Sequence, residues 1–325
     1  MRADASLRMR LGQPLIVGVI VVLSAGLATG LGLSGSHRAR ASSTTSHSPR
    51  TAPRAAQQPR ARPAPALLVS APAFASARWS IVARVHGQPA AWLSERSGVT
   101  LLRFEQTLIR LDLHAGSSDG GTTGWVYGDQ ITPAEIHHVV AAFNGGFKLT
   151  YANVGFMSGG RVAAPLRPGL ASIVTYRDGS SNIGTWGAGV PSVGKRVFSV
   201  LQNQQLLVDH GIVAASTATC VLECWGETVG KLTSVARSGL GITAGGQLVW
   251  AAGEHLLPGE LGAALLDAGA VRAIELDINP DWVAGYLYVH HPTGPVPVPV
   301  IPGQLGITGK LLEPYTRDFF VLAAR

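Results

Sequence analysis

The sequence predicts an α+β body of mixed, largely antiparallel sheets with a few packed helices, preceded by one transmembrane helix and a disordered linker. Three observations predict it. Many short runs alternate apolar and polar residues and are separated by glycine-bearing turns, the pattern of antiparallel strands. Two stretches read as helices, 132–140 from a helix-start signal and 258–268 from the apolar Leu261, Leu265 and Leu266 with Gly269 as the stop. The N-terminal 66 residues differ in kind from the rest, holding nine Lys/Arg and one acid, against seventeen and eighteen in the remaining 259. The net charge of +7 therefore resides in the tail. The body offers no basic patch that argues for nucleic acid, and none is expected as a partner.

Residues 1–14 form a basic segment with Arg2, Arg8 and Arg10. Residues 15–33 run nineteen positions without a charge, long enough to span a bilayer. They read as an uncleaved anchor that places the chain in the cell membrane, single-pass, with the C-terminal domain outside. The other reading is a signal peptide cut near Ala39-Arg40-Ala41, which makes the protein secreted. Residues 34–66 are rich in Ser, Thr, Pro, Ala and Arg with no acid and no periodic apolar face, so they read as a disordered spacer. Residues 67–325 are the expected folded domain.

Within it, 79–85 alternates as a strand, and 99–113 divides around Glu105-Gln106 into two. Residues 116–120 match G-x-S-x-G, but no apolar helix follows as a nucleophile elbow requires, so the match is a chance one. Thr132, Pro133 and Glu135 form a capping box and should start a helix to Val140. His137 and His138 lie on it without a second pair at metal spacing, and no metal or cofactor is expected. Residues 141–147 read as a strand ending in Asn144-Gly145-Gly146, a turn or a place of positive φ and close backbone approach. Asp178-Gly179 marks a hairpin, 198–208 a strand pair around Asn203, and Gly245-Gly246 another hairpin. Cys220 and Cys224, the chain's two cysteines, lack a second ligand pair for zinc and read as a disulfide over two free thiols in an oxidising compartment. Residues 258–268 are helical, stopped by Gly269. The Pro-rich run 292–302 reads as an extended loop, and 318–324 as the closing strand.

The stretch with the most chemistry is 274–282, IELDINPDW. Period 2 on a strand puts Glu275 and Asp277 on one face and Ile274, Leu276 and Ile278 on the other. Pro280 restricts Asn279 and should end the strand there. Asp281 and Trp282 follow directly. On its own the stretch reads equally well as an edge strand with a solvated acidic face. A pattern favours more: two helix–strand units end in polar clusters, one at Asn144 and one at Asp277. Neighbouring strands would bring the clusters together.

Four stretches share a further property. AAFNGGFK, the run 165–179, RSGLGIT and the helix leading into GAVRAIELD resemble, in that order, the phosphodiester glycosidase family, over roughly residues 99–325. The resemblance implies hydrolysis of a sugar-1-phosphodiester or a related cell-envelope or exopolysaccharide linkage, with a carbohydrate or sugar-phosphate polymer as partner. It implies Asp277, Arg237 and Glu275 as catalytic residues. Arg237 would grip the phosphate bidentately, helped by Lys148 or Arg167, and Asp277 would activate water or steady charge on the sugar ring. Asn144, Gly145, Gly146, Phe147, Lys148, Asn279 and Trp282 would bind substrate. The chain departs from the family after the acid, where D-G-G-G-S is replaced by Asp277-Ile278-Asn279-Pro280-Asp281. A glycan-binding module without cleavage is the alternative. An enzyme should hold Asp277 in a concave pocket facing Arg237 and Asn144, whereas a binding module should show an open aromatic groove.

Overall fold

Three antiparallel sheets account for most of the body, and their strands follow the hydrophobic pattern closely. The computed structural model describes residues 65–70, 78–118, 120 and 124–325. The basic segment, the expected span at 15–33 and nearly all of the linker lie outside them. Among the described residues no helix is long and apolar enough to cross a membrane. The predicted fold class is corrected accordingly, to mostly antiparallel sheets with minor helix and, among the described residues, no membrane-crossing helix. The helical part is slight. Apart from the ten-residue Pro258–Asp267, the described α-helices have four or five residues.

The nine-stranded sheet has Val99–Phe104, Leu248–Leu256, Val235–Thr243, Ala270–Glu275 and Leu206–Asp209 side by side at its centre. Alternate residues of Leu248–Leu256 serve two cores. Val249 and Ala251 meet Leu261 and Leu265 of the helix Pro258–Asp267. Leu248, Trp250 and Ala252 face a larger core shared with the other two sheets, including Phe143, Phe320 and Leu201. Each fully buried leucine of that helix contributes about 2 kcal/mol of burial. The helix starts with Pro258 in its first turn, and the Glu260 carboxylate accepts from the Leu257 N–H at 2.7 Å. It stops before Gly269, which has φ +93°.

One five-stranded sheet runs Gly294–Pro299, Gly285–His291, Val139–Asn144, Phe319–Ala324, Ile109–His114. The other runs Ser181–Thr185, Ala171–Tyr176, Val197–Asn203, Phe156–Ser158, Arg161–Ala164. Both expected hairpins form, at Asp178-Gly179 and Gly245-Gly246. The strands Val99–Phe104 and Ile109–His114 also form, but in different sheets, as do Val197–Asn203 and Leu206–Asp209. The expected pair around Asn203 is therefore a crossover between sheets.

Two further expectations are corrected. The helix at 132–140 is a turn leading into a strand. Its capping bonds exist, with the Thr132 N–H and Oγ1 both donating to Glu135 Oε2 (2.9 and 2.7 Å). Burial of every residue in Val139–Asn144 as a central strand outweighs further helix growth. The Pro-rich loop is a strand, Gly294–Pro299, on the open edge of its sheet. Pro295, Pro297 and Pro299 alternate, so the missing N–H groups fall on one side, away from the ladder.

Candidate functional site

The two polar clusters do meet, though not as neighbouring strands. The strand containing Glu275 belongs to the nine-stranded sheet and the strand ending at Asn144 to a five-stranded one. The strand ends at Glu275, short of the expected stop at Asn279. The chain then leaves the sheet. Leu276 N–H donates to Ser238 O (2.8 Å) and Asp277 N–H to Gly145 O (2.9 Å). This crossing carries the chain into Gly285–His291, beside Val139–Asn144.

Glu275 and Asp277 have separate surroundings. Glu275 Oε1 accepts from Arg237 Nη1 at 2.7 Å. The other Arg237 donors go to backbone carbonyls: Nε to Leu256 O (2.9 Å), Nη1 to Trp225 O (3.1 Å) and Nη2 to Thr233 O (3.0 Å). Arg237 is 0 % exposed. Four of its five N–H donors go to Glu275 and three carbonyls, and it is not among the residues lining the cleft described below. The residue is a strut between the Glu275 strand and the segment ending at Trp225. Burial pushes the Glu275 carboxyl up to about 8, with Asp277 adding to the rise and Arg237 opposing it. Glu275 bonds Arg237 and is not among the residues lining the cleft.

Asn144 is likewise turned inward. Its Nδ2 donates to Ser238 Oγ (2.9 Å) and Gly145 O (3.2 Å), and its Oδ1 accepts from Ala284 N–H (3.4 Å). Ser238 Oγ donates onward to Asp277 O (3.1 Å). Asn144 thus ties sheet ends together and is not among the residues lining the cleft. Gly145 and Gly146 are needed for close approach and not for positive φ, which neither adopts. A Cβ on Gly145 would stand 2.1 Å from Asp318 Oδ2. That oxygen accepts from Gly146 N–H at 2.8 Å. Neither glycine is among the residues lining the cleft.

Asp277 is 5 % exposed and reaches a cleft of about 720 Å³. Its Oδ1 accepts from Ile278 N–H (2.7 Å) and Asn279 N–H (3.0 Å), and its Oδ2 from Arg317 Nη2 (3.1 Å). Burial pushes its carboxyl up, opposed by Arg317 and the two backbone bonds. Arg317 was not expected from sequence. It is buried, donates also to Gly146 O (2.8 Å) and stands 4.9 Å from the Trp282 ring centre. The available signal was its place beside Asp318, two charges directly ahead of the wholly apolar strand Phe319–Ala324.

The cleft collects the remaining expected residues. Phe147, Lys148, Asn279 and Trp282 line it, with Tyr151, Gln204, Gly226, Leu232 and Val235. Lys148 Nζ sits 4.5 Å from the Trp282 ring centre. Asp281 is exposed at the rim. Arg167 is exposed and is not a lining residue. One wall depends on a disulfide. Cys220 and Cys224 are joined within the short helical segment that ends at Trp225. Gly226 follows at φ +92°, where a Cβ would come 2.6 Å from Ile278 Cδ1 and 3.1 Å from Phe147 Cζ. Among the described residues no cluster of three or more His, Cys, Asp or Glu is placed to hold a metal ion.

No family model matches the sequence, and no curated protein matches it. Solved structures give distant likenesses. The zebrafish N-acetylglucosamine-1-phosphodiester alpha-N-acetylglucosaminidase catalytic domain, auto-inhibited by its pro-peptide, overlaps at 12 % identity and TM-score 0.45, covering 79 % of this chain and 87 % of that one. A hypothetical protein from Synechocystis overlaps at 13 % identity and TM-score 0.41, covering 74 % and 63 %. Both TM-scores lie below 0.5 and carry neither fold nor function across to this chain.

Proposed function

We propose that this chain is a hydrolase that cleaves a glycosyl bond in the Asp277 cleft, with a sugar-1-phosphodiester or related cell-envelope glycan linkage as substrate. The observation that carries the reading is the position of Asp277. Of the three acids lining the cleft, Glu227, Asp277 and Asp281, it alone is buried, and it is fixed by Arg317 and two backbone N–H groups. The sequence resemblance of four motifs to the phosphodiester glycosidase family supports the substrate class.

The chemistry asks little of the protein. A phosphodiester leaves readily from an anomeric carbon, so a second, protonated carboxyl is less necessary than with an ordinary glycoside. One well-placed carboxylate can accept a proton from the attacking water or oppose positive charge on the ring. Asp277 suits that part. Arg317 positions it and favours its ionised form against the cost of burial. Phe147, Tyr151 and Trp282 supply aromatic surface for a sugar face. We place the body outside the cytoplasm, and the Cys220–Cys224 disulfide supports that placement.

Incubation of the full-length protein with a panel of sugar-1-phosphodiesters, monitored by mass spectrometry, tests the reading. Release of free sugar from at least one is expected. Binding of panel members without release from any would replace the hydrolase by a glycan-binding module.

A further inference from the structure

The turn at the cleft floor keeps its backbone donors for itself. Ile278 and Asn279 N–H donate to Asp277 Oδ1, and Asp281 N–H donates to Asn279 Oδ1. Trp282 and Val283 N–H donate to Asn279 O, and Asp277 N–H to Gly145 O. Pro280 has no N–H. Beside the turn, Gly146 N–H is committed to Asp318 and Phe147 N–H to Asn203 Oδ1. A glycine-rich loop holds phosphate with successive backbone N–H groups. This turn has none to offer, so beside Asp277 an anion would be met by side chains.

The choice of side chain is narrow. Among the described residues lining the cleft, Lys148 is the one base. Its ammonium lies 4.5 Å from the Trp282 ring centre and 5.9 Å from that of Tyr151. It makes no ion pair with a carboxylate among the described residues. Aromatic faces orient a cation without neutralising it, so its charge stays available to a ligand. The two neighbouring guanidiniums are engaged elsewhere: Arg317 bonds Asp277 and Gly146 O, and Arg237 is sealed against Glu275.

We propose that Lys148 binds the anionic group of the substrate, so that the cleft selects a phosphate-bearing sugar over its neutral counterpart. The inference rests on the cleft being the reaction site named above, and it has a readout separate from turnover. Dimethyl phosphate is the smallest phosphodiester anion and trimethyl phosphate its neutral analogue. Binding of each to the full-length protein is followed by phosphorus NMR line broadening. The wild type should bind the anion in preference to the neutral ester, more weakly as salt is raised. Lys148→Met, which keeps an apolar stem over Trp282, should weaken anion binding about tenfold or more. Lys148→Arg should recover most of it, and both variants should melt as the wild type does.

Equal binding of the two esters by the wild type, or undiminished binding by Lys148→Met, would overturn the proposal. The two readings also fail separately. Lys148-dependent anion binding with no turnover of any sugar-1-phosphodiester removes the hydrolase and leaves the anion site. Turnover with KM unchanged in Lys148→Met removes the anion site and leaves the hydrolase.

Discussion

Replacing Arg237 by leucine separates a buried strut from a ligand-binding residue. The guanidinium is fully buried and bonds the Glu275 carboxylate and three backbone carbonyls. Removing one partner of a buried pair costs about 3–5 kcal/mol. Each stranded carbonyl adds about 1 kcal/mol, less where water enters. Glu275 escapes part of the cost by keeping its proton. Burial already raises its carboxyl to about 8 against the pull of Arg237, and the variant lacks that pull. A raised carboxyl stabilises the fold below the ordinary glutamate range, and this contribution is lost as pH rises through the folded value. The deficit of Arg237→Leu should therefore be about 3 kcal/mol near about pH 6, where Glu275 keeps its proton in both proteins and the stranded carbonyls are the cost, and should grow by ~1.4 kcal/mol per pH unit above about pH 8. Urea unfolding of wild type and variant near about pH 6 and about pH 9 measures it. A deficit under about 1 kcal/mol at both, or one larger at the lower pH, refutes the strut. Loss of phosphate affinity with stability intact would return Arg237 to the cleft.

Three other expectations follow from named contacts. Gly145→Ala places a Cβ 2.1 Å from Asp318 Oδ2, whereas Gly146→Ala meets Leu201 Cδ2 at 3.1 Å. Thermal melting should show the first losing about 1–3 kcal/mol or more and the second clearly less. Reduction of Cys220–Cys224 should cost about 2 kcal/mol by loop entropy, read by urea midpoints with and without reductant. Burial pushes Glu135 up, but its bonds to His114 and Thr132 outweigh that and hold the carboxyl below its usual range. Its contribution is present above the ordinary glutamate value and lost as pH falls through the folded one. Glu135→Gln should therefore flatten the acid limb of the stability–pH curve, and an unchanged limb would contradict the pairing.

Local signals carried the strands and hairpins well. Period 2 with a glycine at the turn is short-range, and Asp178-Gly179 and Gly245-Gly246 fall where it points. The helix Pro258–Asp267 was legible from Leu261, Leu265, Leu266 and Gly269 for the same reason. Long-range burial was not legible. The capping box at Thr132 forms as a turn because Val139–Asn144, a few residues on, are all buried in a central strand. The partition into three sheets depends on which apolar faces meet, and separation along the chain does not encode that. The alternating prolines at 295, 297 and 299 did carry an edge-strand signal within what reads as a loop.

At the site, the acidic alternation and the Asn-Pro stop singled out Asp277, but the strand they imply ends at Glu275 and the two acids have different partners. The neighbouring cation was not legible. Every residue from Val235 to Ile242 is buried, so the charge of Arg237 says nothing about where it points. Arg317 lies forty residues after Asp277 and comes beside it only because Phe319–Ala324 pairs with the strand ending at Asn144.

Heavy-oxygen water offers the most direct measurement of the central claim. Wild-type protein and Asp277→Asn are incubated in it with the sugar-1-phosphodiester that the panel selects, and the products are weighed by mass spectrometry. Cleavage at the anomeric carbon with Asp277 as the working carboxylate predicts label on the sugar with the wild type and a rate at least ~100-fold lower with the variant. Label on the phosphate, or equal rates for the two proteins, would contradict it.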